Sequence, residues 1–194
     1  MKVYTTPVPS WISTLPPAVY NNIELFDIVK FYVFNTPCKT LSSRSITLGD
    51  YGWTSPWSKP FYLNKQLKQA SSNQNLLFSA ASLNVMDNAL QKADLLDLSN
   101  TDISLERICI FNNQKNQFMS VFYHIRNSFA HGRFNIYPLN ENSNDWVFLL
   151  EDVSPRSNSS GEKPVSARMI IRKSTLLKWK SIICKGETVF SSHT

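Results

Sequence analysis

The sequence predicts a mainly α chain: an antiparallel four-helix-type bundle with a small antiparallel β insertion before its last helix. Three observations lead there. Apolar residues recur at helical spacing over most of the first 131 residues. Residues 134 to 172 switch to short alternating or Ile-rich runs between Asn, Ser, Gly and Pro turns, and helical spacing returns after residue 173. At 194 residues the chain has the length of one domain, 1–194.

After prolines 7, 9, 16 and 17, Val19 to Phe34 is strongly apolar, with Val19, Ile23, Phe26 and Val33 at helical spacing. This predicts a buried first helix, ended by Asn35-Thr36-Pro37. Residues 38–59 are polar and read as a loop with Trp53 and Trp57 as aromatic anchors. From Pro60 to about Leu96 no further Pro and no Gly occurs, and Leu63, Leu67, Leu77, Ala80, Leu83 and Leu90 fit one long or two consecutive helices. Asp97 to Asp102 is a turn. Asn112 or Asn113 then caps a helix through Phe118, Phe122, Ile125 and Phe129, closed by Gly132. Phe134–Tyr137, Trp146–Leu150 and Ala167–Arg172 form the meander of the β insertion, about 134–172. Ser174 or Thr175 caps a final helix with Leu176, Trp179 and Ile183 on one face, and the tail 186–194 is expected to be disordered.

The scarce residue types exclude much familiar chemistry. The five glycines form neither G-x-G-x-x-G nor a P-loop, and no H-E-x-x-H occurs. Cys38, Cys109 and Cys184 are odd in number and far apart, so they read as thiols of a reducing compartment, with no metal site and no cofactor expected. No apolar stretch approaches the roughly 20 residues of a membrane span, which predicts a cytoplasmic protein without a membrane partner. Net charge is +6, and Lys163 to Lys185 holds seven basic residues and no acid. Such a balance suits a polyanion such as RNA, and equally a solvated basic face.

One segment carries chemistry: Tyr123-His124-Ile125-Arg126-Asn127-Ser128-Phe129-Ala130-His131-Gly132-Arg133. On an ideal helix Arg126 and His131 lie about 140° apart, with Asn127 between them. Histidine exchanges protons near neutral pH, arginine keeps its charge and offers a planar fork to phosphate oxygens, and an amide can orient either. That set suits phosphodiester cleavage in RNA, whose 2′-OH is its own nucleophile.

Arg126-Asn127-x-x-x-His131 resembles the R-x(4–6)-H motif of the HEPN superfamily. The longer stretch Ile125 to Phe134 is similar to the "IRN-x-x-AHGRF" form of a plasmid- and phage-defence-associated subfamily. The resemblance implies a helical bundle that dimerises, so that two motif helices build a composite, metal-independent endoribonuclease site in a toxin or anti-phage setting. Arg126, Asn127 and His131 are the positions that carry over as catalytic. RNA, a second copy of the chain and an antitoxin protein are the partners it implies. Some relatives have a Tyr two places after the His, which the antitoxin modifies; here that place is Arg133. Tyr123 and His124, on nearby helix positions, and Arg133 and Lys173, in the basic segment or beside the motif, are candidate substrate contacts. The rival expectation is a catalytically silent module that binds RNA or protein through the same helix face.

Overall fold

The computed structural model describes residues 2–15, 17–38, 45–53, 60–71, 77–114, 116–140, 144–155 and 157–186. The expectations for Trp57 and the tail from residue 187 lie outside them. The architecture is mixed α/β, built on a six-stranded, mostly antiparallel sheet, and this corrects the helical bundle expected from the sequence. The elements are β1 (Tyr4–Thr5), α1 (Pro17–Tyr20), α2 (Ile23–Lys30) with a π turn (Phe31–Asn35), α3 (Pro60–Ala70), β2 (Leu77–Ala80) and α4 (Met86–Lys92). They continue with β3 (Arg107–Phe111), α5 (Gln117–Ala130), β4 (Phe134–Pro138), β5 (Trp146–Val153), β6 (Lys163–Arg172) and α6 (Lys173–Lys185).

The meander expected between 134 and 172 is present as β4, β5 and β6, but it is the body of the sheet and not an insertion. Strand order is β2-β3-β6-β5-β4, with β1 on β6 and the β2/β3 pair parallel. β5 and β6 are buried along nearly their whole length because both faces of the sheet are covered, which is why they read as continuous apolar runs. On one face Ile108, Phe148, Leu150 and Met169 meet Ile28, Leu63, Phe122, Ile125 and Trp179 of the helices. On the other, Cys109, Leu149 and Ile170 meet Met86 and Leu90 of α4 and Trp11.

Three further expectations change. Asn22 caps α2, its side chain accepting from the amides of Glu24 and Leu25, so the first apolar stretch breaks in two. The rotated face buries Leu25, Ile28, Phe31 and Tyr32 and leaves Ile23 and Phe26 exposed. The stretch expected to be helical from Pro60 to Leu96 is interrupted by β2, which pairs with Ile108–Phe111 of β3. The cap of α5 is Asn116, accepting from Phe118 N at 2.9 Å, rather than Asn112 or Asn113.

Trp53 ties its loop to the body of the molecule, its buried indole N–H donating to Ile183 O at 3.0 Å. All three cysteines are free thiols, with Cys38 and Cys109 buried and Cys184 exposed. Among the described residues no helix is long and apolar enough to cross a membrane.

Candidate active site

Helix α5 presents the site. Phe118, Phe122, Ile125 and Phe129 are buried in the core as their spacing predicts, which leaves Tyr123, Arg126 and His131 to line a pocket beside the helix. The helix stops in a Schellman arrangement: Gly132 N donates to Phe129 O at 3.2 Å and Arg133 N to Ser128 O at 2.9 Å. Gly132 adopts φ +65, a left-handed conformation that a side chain resists. His131 therefore sits at the helix cap, exposed to solvent, while the chain turns directly into β4.

A pocket of about 580 Å³ opens there. Tyr123, His124, Arg126, Asn127, His131 and Arg133 all line it, together with Asp152 at the end of β5 and Lys163 and Ser166 on β6. Of the candidates from the sequence only Lys173 lies elsewhere: its ammonium donates to Glu24 of α2 at 2.7 Å.

Asp152, absent from the sequence expectations, organises the floor. Its Oδ2 accepts from His124 Nδ1 at 2.6 Å and from Asn127 Nδ2 at 3.2 Å, and all three side chains are buried. His124 Nε2 lies 2.8 Å from Phe111 O. A carboxylate and a carbonyl are both acceptors, so the ring donates to both only when both nitrogens carry protons. Since the carboxylate only accepts, Asn127 must turn its amide nitrogen to Asp152, which leaves its oxygen for Arg126 Nη1 at 3.1 Å. The orientation of Arg126 thus follows from a carboxylate 26 residues away in sequence. A signal for Asp152 existed: Glu151-Asp152 are adjacent acids ending an apolar strand, a place where carboxylates survive only when paired.

Arg133 is committed to structure. It pairs with Glu151 and donates to Pro7 O at 2.7 Å and Thr6 O at 3.2 Å, clamping the N-terminal segment against the pocket. Glu151, fully buried, also accepts from Arg168 Nε at 2.8 Å. The basic segment 163–185 does not form one continuous track: Arg168 is buried on Glu151, Lys173 and Lys180 pair with Glu24 and Asp27 of α2, and Lys163 turns to the pocket.

The electrostatics favour an anion. The one acid among the lining residues, Asp152, is engaged by His124 and Asn127, whereas Arg126 and Lys163 take part in none of the ion pairs among the described residues. Four residues lining the pocket carry a buried polar atom with no partner: Asn113 Oδ1, Arg126 Nε, Arg133 Nε and Ser166 Oγ. Such atoms cost stability unless something else satisfies them. Among the described residues no group of three or more His, Cys, Asp or Glu is arranged to hold a metal ion.

No family model matches the chain, and searches of curated proteins and of solved structures found no significant match.

Proposed function

We propose that this pocket cleaves RNA without a metal, by attack of a 2′-OH on the adjacent phosphorus. The 2′-O–P bond forms, the P–O5′ bond breaks, and the products are a 2′,3′-cyclic phosphate and a free 5′-OH. The observation that carries the reading is that Arg126, Asn127 and His131 line one pocket in which Arg126 meets no carboxylate. Arg126 stabilises the charge that builds on the phosphorane oxygens, Asn127 holds Arg126, and His131 takes the 2′ proton or supplies one to O5′. Tyr123 lies within reach of a base or sugar in the same pocket.

The HEPN resemblance lies in the motif helix and its exit, not in a bundle. A two-chain assembly fits the exposure of His131, because a second copy's His131 then serves the other proton transfer. The toxin or defence setting, a cytoplasmic location and an antitoxin covering the pocket mouth belong to this same reading.

The test is purified protein and RNA in EDTA. Cyclic phosphate ends are expected, with cleavage lost in Arg126→Ala and His131→Ala at unchanged circular dichroism. Cleavage that persists in His131→Ala, or that requires added divalent ions, refutes the mechanism.

One observation favours a second reading, RNA binding without cleavage: His124 is committed at both ring nitrogens, leaving each chain a single exposed histidine at the pocket. Binding with no product in any oligomeric state decides for it.

A further inference from the structure

The strand side of the pocket contains a second set of groups suited to phosphate. In the β5/β6 ladder Asp152 pairs with Ala167 and Val153 with Val165, so Ser166 is an extra residue with no opposite number. A bulge of this kind turns a side chain out of the ladder's alternation, and it recurs beside active sites. Here the turned residue is Ser166, 5% exposed, lining the pocket with its hydroxyl unpartnered. Three residues earlier on the same strand, Lys163 lines the pocket with no carboxylate partner.

We infer that Lys163 and Ser166 form a second phosphate subsite, so that the pocket holds an RNA strand by two consecutive phosphates: the one cleaved at Arg126 and His131, and its neighbour. This rests on the RNA reading above and adds to it a substrate class, a strand with a phosphate beside the scissile one. Lys163 supplies a mobile point charge, and Ser166 a hydroxyl donor held in place by the bulge. Neither touches the reacting atoms, so their contribution is to binding.

The experiment compares a trinucleoside diphosphate with a dinucleoside monophosphate, which has only the scissile phosphate. Wild type is expected to show a KM about tenfold lower for the two-phosphate substrate, the size of one charge-assisted contact. Lys163→Ala is expected to remove that difference, Ser166→Ala to narrow it, and Lys163→Arg to keep most of it. If Lys163→Ala instead lowers kcat by one factor on both substrates and leaves the KM difference intact, the subsite is overturned.

A binding arm separates this from failure of the nuclease reading. A 2′-O-methyl RNA strand has no nucleophile, and its fluorescence anisotropy reads affinity alone. About tenfold weaker binding by Lys163→Ala, with a salt dependence shallower by about 0.7, supports the subsite even if wild type cuts no RNA. Equal binding by wild type and Lys163→Ala overturns it whether or not RNA is cut.

Discussion

Asp152→Asn changes one atom type at the most connected point of the pocket. Oδ1 of Asp152 accepts from the amide of Val153 at 2.9 Å, while Oδ2 receives His124 and Asn127. An asparagine has one accepting oxygen. If that oxygen stays on Val153, the new NH2 faces two donors; His124 Nδ1 must then accept instead of donate, and Asn127 must flip. The flip turns the Asn127 NH2 toward Arg126 and breaks the bond that holds the guanidinium. If the new amide is placed the other way, its NH2 meets the Val153 N–H instead. Neither arrangement satisfies every group. The His124 and Asp152 side chains are 1% and 3% exposed, so solvent screening removes little. Breaking a buried, hydrogen-bonded pair costs about 3 to 5 kcal/mol, and because the isosteric amide leaves no cavity this case falls near 3. For a chain of this size that lowers Tm by roughly 6 to 12 °C. Urea unfolding followed by tryptophan fluorescence measures it. A double-mutant cycle with Asn127→Ala then tests the connection, with a coupling of about 1 kcal/mol or more expected. A loss below about 1 kcal/mol, or effects of the two substitutions that simply add, refutes the network.

Glu151→Gln leaves Arg133 and Arg168 buried without a carboxylate, so a loss of about 3 to 5 kcal/mol is expected in the same unfolding assay. An effect within about 0.5 kcal/mol would show that the triad is electrostatically idle. Burial pushes the thiols of Cys38 and Cys109 up to about 12, against an ordinary value of 9.0. Below pH 9 both states keep these protons and the thiols have no effect on stability. Between pH 9 and 12 the unfolded chain sheds protons that the folded chain retains, so stability falls by about 1.4 kcal/mol per pH unit for each thiol. Unfolding midpoints across this window should slope downward, and less steeply in Cys38→Ala/Cys109→Ala; equal slopes count against it.

Local patterns revealed some of this molecule and long-range pairings the rest. The face of α5 and the register of a meander are periodic within a few residues, and both are visible in the text. Leu77-Phe78-Ser79-Ala80 is not: Leu and Ala favour a helix, and these residues become a strand because β3 offers a parallel edge some 30 residues further on. Once β2 and β3 join β6, a sheet replaces the expected bundle. In the first helix the apolar content was legible and the buried face was not, because the Asn22 cap resets the phase. The motif residues announced themselves by type and spacing. Lys163 and Ser166 reach the site through strand pairing and a bulge, neither of which has a local signature, and Asp152 leaves only the trace of two adjacent acids in an apolar strand.

The walls of the pocket are gathered from Pro7 through Ser166, and Arg133, two residues past His131, holds the earliest of them in place. A nascent chain that has emerged only as far as Gly132 already displays Arg126 and His131, but it lacks Asp152 to fix Asn127 and through it Arg126, and Arg133 to seat Pro7. The site therefore closes only after β6 has left the ribosome. On the proposed reading, RNA cleavage therefore waits until the strand side of the pocket has been made.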